Sequence, residues 1–129
     1  MASIILVDDD DEFLALLSGT LTRAGHKVTV AFDGQQAVNL YKDRPTDLVI
    51  TDLVMPGKEG IELIVELKGL YPEVKIIAVS GAGINALGEY LRMAKALGAK
   101  RVLSKPFSVD QILNAIMEVL DGNEPGIIS

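Results

Sequence analysis

The chain has 129 residues, of which 49% are hydrophobic and 23% are charged, the composition of one ordinary globular domain. It contains no cysteine, which excludes disulfides and thiolate metal sites, and its net charge of −6 argues against binding to nucleic acid, which needs clustered lysine and arginine. The sequence holds no apolar stretch long enough to span a bilayer and no signal-peptide pattern, so we expect a cytoplasmic protein without a membrane segment.

Short apolar runs alternate with segments of helical periodicity along the chain. The predicted strands cover residues 3–7, 27–32, 46–51, 74–79 and 101–103. The predicted helices cover residues 12–24, 35–42, 61–70 and 84–97, followed by a last helix that Ser108 caps. Gly25 and Gly98 mark helix ends, and Asp33-Gly34 marks a turn. In the second strand Val28, Val30 and Phe32 alternate with more polar residues, which indicates a half-buried strand near an edge of the sheet.

The order of these elements defines the fold class. Five β–α units with short connections predict an α/β protein with a parallel sheet, because the connections between parallel strands are right-handed crossovers. The strands are mostly apolar throughout, so both faces of the sheet must be covered by helices. A doubly wound, three-layer α/β/α fold follows, with ligands expected at the carboxyl ends of the strands. We assign residues 1–121 to this domain and residues 122–129 to a flexible tail.

Ionisable groups stand where three of the predicted strands end. Asp8 and Asp9 follow the first strand, Asp52 follows the third and Lys105 follows the fifth. Parallel strands share one carboxyl edge, so these side chains are expected to meet there. Oxygen ligands without histidine or cysteine favour Mg²⁺, with Mn²⁺ as the alternative. The remaining acids of the run, Asp10–Glu12, are explained by capping and by the positive end of the first helix.

Each of these residues also has an ordinary structural explanation. Asp52 alone would be a turn or cap residue, Lys105 a solvated loop residue, and Ser80-Gly81 a turn. Together they are harder to explain, because neighbouring carboxylates repel one another by about 4 kcal/mol at an effective dielectric near 20. A metal ion or the lysine must compensate that charge. In this setting, Ser80 at the end of the fourth strand is a candidate donor to a phosphoryl oxygen.

Four motifs extend this pattern to a known family. They are I-I-L-V-D-D, D-L-V-I-T-D-L-V-M-P-G-K-E-G, A-V-S-G-A and S-K-P-F, in this order along the chain. Over about residues 3–121 the chain resembles the receiver domains of two-component response regulators, the chemotaxis-type signalling fold. The resemblance implies a flavodoxin-like sheet of five parallel strands in the order 2-1-3-4-5.

The resemblance also implies a role for each site residue. Asp52 would be the phosphoacceptor, taking a phosphoryl group from a histidine kinase or phosphotransfer partner. Lys105 would bind the phosphoryl group, Ser80 would supply the switch hydroxyl, and the Lys105-Pro106 peptide bond would be cis. The protein would catalyse its own phosphorylation and dephosphorylation but turn over no separate substrate.

A magnesium site is implied in the same pocket. Asp9 and Asp52 would be ligands, Asp8 would reach the ion through water, and the backbone carbonyl of Val54 would complete the protein's share. Phosphorylation would then change the surface around the fourth and fifth β–α units and so act on a downstream protein or a homodimer. The residues expected on that surface are Ile84, Leu87, Tyr90 and Leu91.

Three positions depart from the family pattern. Val102 stands where an aromatic switch residue is usual, and a valine cannot swing between exposed and buried positions as a ring does when it rotates together with the hydroxyl. Val54 and Ala82 are apolar and cannot orient an attacking water. We therefore predict a dephosphorylation rate unlike that of relatives with polar residues there, and an unchanged phosphoryl lifetime in Val54→Asn would contradict this.

Other functions fit the same sequence less well. A Mg²⁺-dependent phosphatase with an aspartate nucleophile usually has a second acid two residues later, where this chain has Val54. A nucleotide- or flavin-binding module would need a glycine-containing turn after the first strand. The third alternative is a protein-interaction module that keeps the receiver fold but is not phosphorylated.

Overall fold

The computed structural model describes residues 2–53, 60–81 and 92–122. Its strands are β1 (Ser3–Val7), β2 (Lys27–Ala31), β3 (Leu48–Asp52), β4 (Ile76–Ser80) and β5 (Arg101–Ser104). Its helices are α1 (Asp11–Arg23), α2 (Gly34–Asp43), α3 (Gly60–Leu70), the helical residues 92–96 (α4) and α5 (Val109–Leu120). Within these residues the five strands form one parallel sheet in the order β2-β1-β3-β4-β5. The predicted fold class and strand order are confirmed.

Helices cover both faces of the sheet. Successive residues of a strand point to opposite faces, so Ile4 and Leu6 of β1 belong to one buried cluster and Ile5 and Val7 to the other. The first cluster packs against α1 and α5, and the second packs against α2 and α3 and includes Ala94 of α4. The central strands are therefore buried on both faces, as their continuous apolar sequences predict.

Side-chain caps fix where three of the helices begin. The Asp10 carboxylate accepts the backbone N–H groups of Glu12 and Phe13 at 3.0 and 3.2 Å, which confirms the predicted cap of α1. Ser108 and Gln111 form a reciprocal capping box at the start of α5. The sequence analysis predicts a turn at Asp33-Gly34, followed by a helix over residues 35–42. In the structure Asp33 instead caps α2, which already begins at Gly34.

Several predicted boundaries also needed correction. The second strand ends at Ala31 on the edge of the sheet, and the next residue, Phe32, is 49% exposed. The third and fourth strands begin and end later than predicted, so Asp52 and Ser80 are the last residues of β3 and β4. The chemically important side chains therefore stand within the ladder of the sheet, where their backbone positions are fixed.

Among the described helices, none is both long and apolar enough to cross a membrane.

The glycines predicted to end helices do so, since Gly25 and Gly98 have φ angles of +99° and +110° in the left-handed region that glycine favours. The residues expected to form the output surface, and residues 123–129 of the predicted tail, lie outside the described part of the chain.

Candidate functional site

The register of the sheet brings the predicted site residues together. Val7 of β1 pairs with Thr51 of β3, Asp52 pairs with Val79 of β4, and Ser80 pairs with Ser104 of β5. Asp8 and Lys105 are the residues that follow β1 and β5. The side chains of Asp8, Asp52, Ser80 and Lys105 therefore stem from one stretch of the carboxyl edge.

Three carboxylates lie close together in this pocket. Asp8, Asp9 and Asp52 each offer an oxygen, and these oxygens lie within 4.8 Å of one another. Asp8 is 1% exposed and Asp52 is 8% exposed, whereas Asp9 faces solvent. One oxygen of Asp8 accepts the Asp10 backbone N–H at 3.0 Å. Two buried carboxylates this close are costly unless a cation compensates their charge.

Lys105 supplies such a cation. Its Nζ donates to Oδ2 of Asp8 at 2.7 Å and to Oδ2 of Asp52 at 3.2 Å. Burial by itself would lower the pKa of Lys105, but the hydrogen bond to Asp8 and the charge of Asp52 outweigh it and raise the pKa above its ordinary value. The lysine is therefore charged at neutral pH, and it bridges the two buried acids.

The backbone of Asp52 is fixed by its neighbours. Its carbonyl oxygen accepts the Thr51 hydroxyl at 2.9 Å, and the next residue, Leu53, donates its N–H to the Val79 carbonyl at 2.9 Å. The start of α3 lies against the same carbonyl, since a Cβ atom on Gly60 would be 1.8 Å from that oxygen. Glycine is required at this position for α3 to approach the end of β3 so closely.

Two further predicted residues lie on neighbouring strands: Ser80 ends β4, and Val102 belongs to β5, the strand that leads to Lys105. Ser80 is fully buried, and its backbone carbonyl accepts the Lys105 N–H at 2.8 Å. Val102 pairs with Ala78 and is partly buried against the cluster under α2 and α3. The Lys105-Pro106 peptide bond is cis, as the resemblance implied. Val54 and Ala82 lie outside the described residues, so their predicted roles stay predictions.

One contact of the site was missed by the sequence reasoning. The ring of Phe13 lies under the Lys105 ammonium, with 4.0 Å between Nζ and the ring centroid. Phe107 packs edge-to-face on Phe13, with 6.1 Å between the ring centroids. Helical periodicity marks Phe13 as a residue of the inner face of α1, but it does not show that the ring meets a side chain from the far end of the chain.

Comparison with known proteins identifies the family. Residues 4–117 match the family model described as the response regulator receiver domain. The chain belongs to this family. Receiver domains are phosphoacceptor signalling switches of two-component systems, and they interact with histidine kinases or phosphotransfer proteins. The alternative of a receiver-like module that is not phosphorylated is not favoured.

Curated relatives and solved structures agree with this assignment. The chain is 35% identical over 121 residues to the chemotaxis protein CheY of Thermotoga maritima, covering 92% of this chain and 98% of that protein. It is 32% identical over 124 residues to the transcriptional regulator NtrC of Azospirillum brasilense, covering 96% of this chain but only 25% of that protein. A receiver domain from Clostridium thermocellum superposes with a TM-score of 0.86 at 26% identity, covering 94% of this chain and 95% of that one.

The acidic pocket of the receiver domain has the chemistry of a metal site. All three clustered ligands are carboxylate oxygens, which is the donor type that a hard divalent cation prefers over the nitrogen and sulfur ligands typical of zinc. Asp9 is exposed and so open to an ion that arrives from solvent with part of its water shell. The residues present therefore fit a divalent cation.

Proposed function

We propose that Asp52 is the phosphoacceptor of this receiver domain. The observation that carries the proposal is the position of its carboxylate, which is buried, lies 3.2 Å from the Lys105 ammonium and lies beside Asp8 and Asp9. Asp8 also contacts Lys105 and the other two acids, but it is only 1% exposed and its second oxygen accepts the Asp10 backbone N–H, whereas Asp52 is 8% exposed and so more open to a phosphoryl donor. Such surroundings suit a weak nucleophile that must accept a highly charged group.

The chemistry is a transfer of one phosphoryl group. An oxygen of Asp52 forms a bond to phosphorus while the bond from phosphorus to the imidazole nitrogen of a phosphohistidine breaks. The electron pair of that bond stays on the imidazole, which takes up a proton. Lys105 stabilises the charge on the phosphoryl oxygens, and little further covalent chemistry is needed, so catalysis consists mainly of positioning and electrostatics.

We assign a magnesium site to Asp8, Asp9 and Asp52, with the Val54 carbonyl as a further ligand and Mn²⁺ as an alternative ion. When bound, the cation supplies neutralisation of charge on the phosphoryl group. The donor set of three clustered carboxylates supports this assignment. Lys105 compensates part of the same charge, so the pocket can hold together before an ion arrives.

The phosphoryl group then acts as a signal. Asp52 carries one negative charge, and aspartyl phosphate carries about two, with additional strong acceptors. Ser80 ends the neighbouring strand, and its hydroxyl is the group we expect to donate to those acceptors. The surface around the fourth and fifth β–α units would change, and a downstream protein or a second copy of the chain would read that change. We expect a cytoplasmic location and no turnover of a separate substrate.

The test is direct phosphorylation with a small-molecule donor. The protein is incubated with acetyl phosphate in the presence of Mg²⁺ or of EDTA, and its mass is measured. We expect a gain of one phosphoryl group with Mg²⁺, a much smaller gain with EDTA, and loss of the group in hydroxylamine, which cleaves acyl phosphates. Peptide mapping should place the group on Asp52. An unmodified protein, or a group on another residue, would refute the proposal.

A further inference from the structure

An aromatic ring contacts the Lys105 ammonium in addition to the two carboxylates. Nζ lies 4.0 Å from the centroid of the Phe13 ring, within the range of about 6 Å over which the negative face of a ring attracts a cation. The two carboxylate contacts of the same ammonium are those to Asp8 and Asp52. The ring face thus forms one wall of the space that the ammonium occupies.

The Phe13 ring is itself held in place. Phe13 belongs to the first turn of α1, and its backbone N–H donates to the capping carboxylate of Asp10 at 3.2 Å. Its ring packs edge-to-face on Phe107, with an angle of 85° between the ring planes. Both rings are partly buried against the core cluster that α1 and α5 share. Phe107 lies two residues after Lys105, so the ring pair ties α1 to the segment that carries the lysine.

The lysine side chain needs such a restraint. Its four-carbon stem has several rotatable bonds, and its ammonium is a point charge without a preferred direction of binding. The stem passes close to Gly81, since a Cβ atom there would be in ordinary van der Waals contact with the Lys105 Cδ atom at 3.6 Å. Phe13 lies at the ammonium end, and the position of Nζ is therefore defined by the ring together with the two carboxylates.

We propose that Phe13 is a positioning residue for phosphoryl acceptance, in that its ring face holds the Lys105 ammonium at Asp52. This inference rests on the proposed function of Asp52. A ring face attracts the ammonium without taking up an N–H donor as strongly as a third carboxylate would, so those donors stay available to phosphoryl oxygens. A leucine at this position would fill much of the same space but lack the charge distribution of the ring.

The first test is the initial rate of phosphorylation by acetyl phosphate with Mg²⁺. We expect Phe13→Leu to lower this rate about 3- to 10-fold, the range that a partly desolvated cation–π contact gives, and Phe13→Tyr to keep the wild-type rate. The matched control is Phe32→Leu, the same change at an exposed ring just after β2. In a Lys105→Met background, Phe13→Leu should have no further effect. A wild-type rate in Phe13→Leu, or equal losses in the tyrosine and leucine variants, would overturn the proposal.

The second test reads the contact without any phosphorylation. Protons above a ring face are shifted upfield, so the Lys105 ε-methylene protons should resonate upfield of those of other lysines in the wild type and in Phe13→Tyr, and return to ordinary values in Phe13→Leu. Should Phe13→Leu fail to fold, Phe13→Met serves instead. If the wild type shows the shift but accepts no phosphoryl group, the proposed function of Asp52 fails and the role of Phe13 in the reaction fails with it. If the wild type is phosphorylated but the shift is absent, only the inference about Phe13 fails.

Discussion

Asp47 and Asp52 stand at opposite ends of β3, and the two carboxylates have different surroundings. Asp47 immediately precedes the strand and is exposed, and one of its oxygens accepts the backbone N–H of Ser3 at 2.9 Å and the Ser3 hydroxyl at 3.2 Å. Asp52 ends the strand, is buried, and contacts Lys105 in a pocket that holds two further acids. Neutral donors satisfy the first carboxylate, whereas the second depends on a charged partner.

The contrast shows what burial adds to a common residue. Both aspartates flank the same strand, and both tie β3 to its surroundings. At the exposed end, water can replace a lost hydrogen bond, so that end contributes little beyond local order. At the buried end, the charged groups lie in a low-dielectric environment and interact strongly. Removing one of them therefore changes the free energy of burying the others. Function is therefore expected at the buried end of β3, where water cannot take the place of a lost charged partner.

The largest difference between the two ends is expected in phosphorylation. Asp52→Asn should abolish the mass gain from acetyl phosphate, because the amide is not a nucleophile that can form the acyl phosphate. Asp47→Asn, the same change at the other end of β3, should be labelled at the wild-type rate. Labelling of the Asp52→Asn protein at a comparable rate would contradict the contrast, since it would place the acceptor elsewhere.

A side chain at Gly60, where α3 approaches the buried end of β3, should have a large effect on stability. A Cβ atom at Gly60 would meet the Asp52 carbonyl oxygen at 1.8 Å, so Gly60→Ala should lower the free energy of unfolding by about 1–3 kcal/mol or more. The matched control is Gly69→Ala in the same helix, where a Cβ atom would meet nothing within 4 Å. That variant should be as stable as the wild type or gain up to about 1 kcal/mol in urea unfolding. Equal effects of the two substitutions would show that α3 can shift away from β3.

Removal of the bridging lysine at the buried end of β3 should also lower the free energy of unfolding, whereas removal of an exposed lysine should not. Lys105→Met leaves the buried carboxylates of Asp8 and Asp52 without their cation, and we expect a loss of about 1–3 kcal/mol at neutral pH in metal-free buffer. The control Lys42→Met removes an exposed charge on α2 and should have little effect. Since the folded state raises the pKa of Lys105, the wild-type advantage should be fully present below the ordinary value of 10.5 and fall as the pH rises above it. If the difference in unfolding free energy between the wild type and Lys105→Met grew above that pH, it would contradict a raised pKa of Lys105.

The site could be predicted from the sequence to the extent that it follows from the backbone. Residues at the ends of neighbouring parallel strands must share an edge, and this alone brings Asp8, Asp52 and Lys105 together. The sequence did not predict the choice of partners within the pocket, because the direction of a long lysine side chain depends on tertiary packing. The contact with Phe13 was missed for that reason. Asp33 was ambiguous for a local reason, since aspartate before glycine is equally suited to a turn and to a helix cap.

Metal binding should also act only at the buried end. If Mg²⁺ binds at the acidic pocket, a concentration tenfold above its dissociation constant should raise the free energy of unfolding by about 1.4 kcal/mol. Asp9→Asn should weaken this stabilisation, because it removes one of the three clustered carboxylates. Asp11→Asn makes the same change two residues later, at an exposed position in the first turn of α1 outside that cluster, and should leave the magnesium effect unchanged. Thermal unfolding with and without the ion measures both. The same loss in both variants would indicate general screening of acidic charge.

The exposed end should show the smallest effect. Asp47→Ala removes an acceptor for the Ser3 backbone N–H and hydroxyl, yet water can reach both donors, so we expect a loss of about 1 kcal/mol or less in urea unfolding. Ser3→Ala removes only the hydroxyl, and the double variant Ser3→Ala/Asp47→Ala should give a coupling energy of about 0.5 kcal/mol. A coupling of several kcal/mol would mean that this carboxylate is as dependent on its partner as Asp52 is on Lys105. Exposure would then be a poor guide to which end of β3 carries the function, and the distinction between the two aspartates would have to rest on the presence of Lys105 alone.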